Sequence, residues 1–152
     1  MLSSRAKYAT RALLDLTLNG GDRPMQIQEI ADHQNIPAKF LEQILLALKR
    51  EGWVQSRKGP GGGYSLAVPP QSITLGAVVR TVDGPLAPIS CVSVSGYMEC
   101  GCPEPETCGL RAAWKEARDA LTTVLDKTTF ADIRDRHENL CAERQGVLDY
   151  II

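Results

Sequence analysis

Pro37-Ala-Lys-Phe-Leu-Glu-Gln-Ile-Leu-Leu-Ala-Leu-Lys-Arg-Glu51, then Gly52, then Trp53-Val-Gln-Ser-Arg-Lys-Gly-Pro-Gly-Gly-Gly-Tyr-Ser-Leu-Ala67, is the stretch that decides the fold. In its first part Phe40, Leu41, Ile44, Leu45 and Leu48 recur three and four apart, which predicts a helix with one apolar stripe. Pro37 suits a first helical turn and Gly52 a left-handed closing residue. The second part predicts a strand over 53–57, a glycine-rich tip and a returning strand over 64–67. A tip nearly bare of side chains lets its backbone approach a narrow surface, and Arg57 and Lys58 place positive charge at its base. Such a loop suits a DNA groove or phosphate edge. The plain alternative is a hairpin whose glycines only meet turn geometry.

Upstream, Ser3 or Ser4 can cap a helix ending near Leu18, with Ala9, Ala12, Leu13 and Leu16 inward and Asn19-Gly20-Gly21 after it. Ile27, Ile30 and Ala31 suggest a short second helix that stops near His33, and Asn35-Ile36-Pro37 turns the chain into the third. Two helices joined by a tight turn, followed by the hairpin, form a winged helix-turn-helix pattern. With the stripe buried, Ala38, Lys39, Glu42 and Gln43 face outward and would enter a major groove first. Gln43 can pair with adenine, Glu42 can accept from a cytosine amino group, and Lys39 can reach guanine or phosphate. With Arg57, Lys58, Gly59, Pro60 and Gly61 of the wing they are the candidate DNA-binding residues; the alternative is a solvated polar face. His33 reads as a surface or cap residue without a role.

The 152 residues suffice for one domain, or a compact domain with an extension. The net charge of −1 hides an asymmetry: residues 1–80 hold 10 Lys/Arg against 6 Asp/Glu, and residues 81–152 hold 7 against 12. A basic half carrying the helix and wing, joined to an acidic half carrying all five cysteines, fits DNA binding coupled to sensing or assembly. Nothing resembles a signal peptide or a membrane span, so a cytoplasmic protein is expected, with no membrane partner.

Beyond the hairpin, Val68-Pro69-Pro70 is a stiff connector, and Thr74 can cap a helix over 75–82 that Asp83-Gly84-Pro85 ends. Cys91, Cys100, Cys102 and Cys108 then fall within eighteen positions, among Gly96, Gly101, Pro103 and Pro105. Thiols clustered on such a loop point to metal or redox chemistry ahead of a structural disulfide. No paired C-x2-C knuckle is present, so the spacing leans to an iron–sulfur cluster, with zinc or a cluster-free thiol switch left open. Cys141, alone on an expected helix, reads as a small buried hydrophobe. Neither His33 nor His137 reads as lying near another metal-ligand candidate. Leu110, Ala113, Trp114, Ala117, Leu121, Val124 and Leu125 predict a helix over 110–126 whose stripe needs a cover. The same helix of a second subunit is the economical cover; packing on the first helix is the alternative. A further helix is expected near 130–140, with a weakly specified tail to Ile152.

The fold class that follows is mainly α with a small β-wing. A winged helix-turn-helix domain spans 1–84, a Cys-rich cluster-binding loop 85–109, and a long dimerisation helix with a C-terminal tail 110–152. No nucleophile–base pair, acid–base carboxylate pair or Walker loop is found, so no enzyme is expected. A metal–thiolate redox protein is the remote alternative.

Taken together, Ser4-Arg-Ala-Lys-Tyr-Ala-Thr-Arg-Ala-Leu-Leu-Asp15, Phe40-Leu-Glu-Gln-Ile44, Arg57-Lys-Gly-Pro-Gly-Gly-Gly-Tyr64 and the Cys-rich loop resemble the iron–sulfur cluster regulator family of bacterial winged-helix repressors, which includes IscR, NsrR and CymR. The resemblance implies a homodimer that binds double-stranded promoter DNA and responds to a cluster, [2Fe–2S] ahead of [4Fe–4S]; some members use none. It maps three ligands onto Cys91, Cys102 and Cys108, although the family's five-residue spacing holds only between the last two. Where one branch places a histidine three residues past the last cysteine this chain has Arg111, and where another uses an acidic residue in the first helix it has Tyr8. Cys100 is the candidate for the vacant fourth place.

Overall fold

The computed structural model describes residues 2–21 and 23–149, with side chains described to Gly146. Its elements are α1 (Ser4–Asn19), α2 (Ile27–Gln34), α3 (Ala38–Arg50), β1 (Val54–Arg57), β2 (Gly63–Leu66), α4 (Leu75–Asp83), α5 (Gly109–Lys127) and α6 (Phe130–Asp149). Ser3 caps α1 by accepting from the Ala6 backbone N–H at 3.1 Å, and Asp83 in turn accepts from the Ser3 backbone N–H at 2.8 Å. Ala6, Ala9 and Ala12 are fully buried, so their small side chains let other helices close on α1. The α2–α3 turn runs through Asn35, whose left-handed backbone (φ 49°) lets the Ile36 N–H reach the Ala31 carbonyl at 2.9 Å. That bond closes the helix and drops the Ile36 side chain into the core.

In α3, Leu41, Ile44, Leu45 and Leu48 are fully buried, and Gly52 adopts the expected positive φ of 77°. Pro37 stands just before the helix as its cap residue. Phe40 departs from the expected stripe. It is 41% exposed and packs edge-on against Tyr8, ring centres 5.6 Å apart. At about 100° per residue, Phe40 falls on the flank of the buried arc, beyond the reach of the core. The wing strands pair antiparallel from Val54↔Leu66 to Arg57↔Gly63, one residue shorter at the base than expected, where Ala67 donates to the Trp53 carbonyl at 2.8 Å.

The chain after α5 returns to the first core. Phe130 is fully buried, its N–H bonds the Ile73 carbonyl at 3.0 Å, and Leu75 donates to the Thr128 carbonyl at 2.8 Å. The helix expected over 130–140 thus starts as an anchored element and continues to Asp149; the last residues of the expected tail, 150–152, lie outside the described residues. Cys141 is exposed, against the expectation of burial, in a stretch of α6, 141–146, that no described element covers. Its sulfur lies 3.6 Å from His137 Nε2, one helical turn away, so this histidine does have a ligand-type neighbour. Along α5, Leu125 packs on the cluster of Ala6, Val79 and Leu86, and Arg80 of α4 grips Asp126 through two hydrogen bonds of 2.6 and 2.8 Å. Leu110, Trp114, Leu121 and Val124 remain exposed, so α1 does not cover the stripe. Among the described residues no helix is long and apolar enough to cross a membrane.

Candidate nucleic-acid interface and thiol loop

On the outward face of α3, Lys39, Glu42 and Gln43 are exposed, while Ala38 is half-buried and packs on the core. Ala38 was expected to face outward with them; at about 100° per residue it falls close to the line of Leu41 and Leu45, on the edge of the buried stripe. α2 is held to α1 by Asp15, which is 1% exposed. A buried carboxylate needs partners, and Asp15 has two: Asn19 Nδ2 at 2.8 Å and His33 Nδ1 at 3.1 Å. His33 therefore ties α2 to α1, a role that its place in the sequence did not disclose. Beside α3, a groove of about 560 Å³ runs between the start of α1 and the first half of α3, bordered by Arg5, Tyr8, Lys39, Phe40 and Gln43.

At the wing, Arg57, Lys58, Gly59, Pro60 and Gly61 are all exposed. Two glycines are demanded by close approach. A Cβ at Gly62 would lie 2.3 Å from the Arg57 carbonyl oxygen, and one at Gly63 2.3 Å from that of Met25. The second approach exists because Tyr64 and Met25 exchange backbone hydrogen bonds of 2.7 and 2.8 Å, which pin the wing to the segment before α2. Lys49 Nζ on Ser56 Oγ, 2.6 Å, ties the end of α3 to β1. The wing is thus tied both to α3 and to the segment before α2.

Four thiols occupy the loop between α4 and α5. Cys91 is buried in a 3-10 turn, Ser90–Val92; Cys108 caps α5, its sulfur 3.4 Å from the Arg111 backbone N–H; Cys100 is half-buried and Cys102 exposed. Burial pushes the Cys91 thiol up, and the neighbouring Cys100 adds to it. Cys100 is lowered, first by the backbone N–H of Cys102 and then by that residue's thiol. Cys102 is raised, chiefly by its neighbour Cys100 and its charge. Cys91, Cys100 and Cys102 are therefore neighbours in series, with Cys108 close enough to Cys102 to oppose its ionisation. Four soft sulfurs on one loop fit a thiophilic group by donor chemistry. Among the described residues no three His, Cys, Asp or Glu side chains already stand in a metal-holding arrangement, so a metal group would have to draw this series together.

Arg111 organises the loop, and motif reading gave it no such part. Its Nε donates to the Cys91 carbonyl at 3.2 Å, its Nη1 to the Pro105 carbonyl at 3.3 Å, and its guanidinium lies 5.9 Å from the centre of the Tyr97 ring. Arg118 donates to the Val92 carbonyl from the same helix. With Lys115 they border a hollow of about 290 Å³ that contains Cys91 and Cys108. The one advance signal was that Arg111, Lys115 and Arg118 share a helical face.

The model of the Rrf2 family, described as an iron-dependent transcriptional regulator, matches residues 2–136. The protein rrf2 of Nitratidesulfovibrio vulgaris is 36% identical over 140 residues, covering 92% of this chain and 90% of that protein. Two solved structures share the architecture. CymR of B. subtilis, described as its global cysteine regulator, is 30% identical with a TM-score of 0.76, over 90% of this chain and 97% of that one. IscR of T. potens is 26% identical with a TM-score of 0.73, over 92% and 90%.

Proposed function

The chain belongs to the Rrf2 family of transcriptional regulators, and we propose that it is a homodimer whose grip on promoter DNA is set by the thiol loop. Within this reading residues 1–84 are the DNA-binding unit, 85–109 the sensing loop, and 110–152 the dimerisation helix and tail. Lys39, Glu42 and Gln43 read bases in the major groove, and the wing from Arg57 to Gly61 lies along the neighbouring phosphates or minor groove. The exposed stripe of Leu110, Trp114, Leu121 and Val124 meets its counterpart on a second copy.

The sensing group is an iron–sulfur cluster, [2Fe–2S] ahead of [4Fe–4S], held by Cys91, Cys102 and Cys108, with Cys100 as fourth sulfur. When bound it supplies a redox-sensitive cross-link among these thiolates. The chain's own residues carry the consequence. Cys108 is the cap of α5, Arg111 binds both limbs of the loop, and the Arg80–Asp126 pair joins the far end of α5 to α4. A change at the thiols thereby shifts α5 against the reading face, and the spacing of two reading faces with it.

The observation that carries the reading is the conjunction of a thiol-capped helix with an uncovered apolar stripe and a winged reading head. A second reading, a cluster-free thiol switch, rests on the lowered Cys100 beside Cys91 and Cys102. Protein purified without oxygen separates the two. Iron and sulfide content with visible absorption that C91A, C102A and C108A each abolish supports the cluster. Colourless protein, with a disulfide among Cys91, Cys100, Cys102 and Cys108 after oxidation, supports the switch.

A further inference from the structure

We propose that Phe40 reads the methyl group of a thymine in the major groove, with the rim of its groove seating the adjacent phosphate. The inference rests on the DNA-binding reading above and adds a base preference to it. Its starting point is an aromatic side chain that the helical pattern assigns to the core but that stands 41% exposed beside Lys39 and Gln43. The ring is not loose: Tyr8 packs on it at an interplanar angle of 81°, so its position is set before anything binds.

The groove that holds Phe40 has a suitable charge pattern. Among the described residues its ionisable lining consists of Arg5, Lys39 and the phenol of Tyr8, with no carboxylate. Asp83, the last residue of α4, is engaged with Ser3 just before α1. An apolar floor with cationic sides fits a polyanion that also carries an apolar mark. Duplex DNA has one such mark in its major groove, the C5-methyl of thymine. As α3 enters the groove, Gln43 and Phe40 meet neighbouring base edges. Arg5, at the start of α1, meets the strand's phosphate.

The test uses full-length protein and a duplex selected by it from a random library, resynthesised with each thymine in turn replaced by deoxyuridine, which lacks only the methyl. For the wild type, one position per half-site should lose roughly fourfold in affinity, the worth of burying one methyl carbon. Phe40→Ala should bind more weakly and show equal affinity for the thymine and uracil duplexes. Phe40→Leu, which keeps an apolar side chain, should retain the difference and guards against misfolding of the alanine variant. Arg5→Gln should lower the salt slope by about one and leave the thymine/uracil ratio unchanged. Wild-type binding that is indifferent to every replacement, or a Phe40→Ala protein with the wild-type ratio, overturns the proposal alone. Failure to select any duplex overturns the DNA-binding reading with it.

Discussion

Gly76→Ala tests the joint between the reading head and the sensing helix. A Cβ at Gly76 would lie 2.1 Å from Asp126 Oδ1, far inside van der Waals contact. Relief requires the Asp126 carboxylate to swing away and release Arg80. That pair is 37% and 44% exposed on its two sides, so its loss costs about 0.5–1 kcal/mol. Alanine returns at most about 1 kcal/mol of helix propensity, less in a first turn. In the wild-type background the two nearly cancel, and unfolding by urea at pH 7 and fixed protein concentration should change by less than about 0.5 kcal/mol. In an Asp126→Ala background nothing rigid opposes the methyl, and the same substitution should stabilise by about 0.5–1 kcal/mol. Acidity gives an independent check. Arg80 holds the Asp126 carboxyl below its ordinary value, so the pair's contribution is present above that value and is lost as pH falls through the lowered one. Between pH 6 and 3 the wild type should therefore lose more stability than Gly76→Ala. Equal effects of Gly76→Ala in both backgrounds would refute the close approach and the joint built on it.

Arg111→Ala removes the bonds to the Cys91 and Pro105 carbonyls; hydrogen exchange over residues 91–108 should quicken about fivefold, and unchanged exchange would deny Arg111 its organising part. Leu121→Glu places a charge in the exposed α5 stripe; sedimentation should report a monomer whose thermal unfolding is close to wild type, whereas a persisting dimer would move the interface elsewhere. Arg57→Gln and Lys58→Gln should each lower the slope of log affinity against log salt by about one, and full slopes would take the wing off the phosphates.

Much of the frame could be read from local chemistry. Ser3 and Thr74 cap the helices they were expected to cap, Gly52 closes α3 with a positive φ, and Gly59 and Gly61 take positive φ at the wing tip. These are short-range rules, which the residues concerned satisfy alone. What stayed hidden depends on which elements meet. Asp15 and His33 are eighteen residues apart and become partners only when α1 and α2 pack. Phe40 obeys the apolar period but lies at its edge, where tertiary packing decides between core and surface. Arg111 was read against a ligand position, and its guanidinium takes two carbonyls that no motif records. Cys141 was expected inside because a lone cysteine on a helix is most often a small buried hydrophobe, and it stands exposed among exposed neighbours on α6.

The central claim is that the state of the Cys91–Cys108 loop sets affinity for duplex DNA. The direct measurement is the dissociation constant for a selected operator, by anisotropy under anaerobic conditions and at constant salt, before and after the cluster is assembled and then stripped by a chelator. A change of tenfold or more that vanishes when Cys91, Cys102 and Cys108 are replaced together by alanine is the expected result. Identical affinity in all states, with the operator still bound tightly, would leave a DNA-binding protein whose thiols do not govern it.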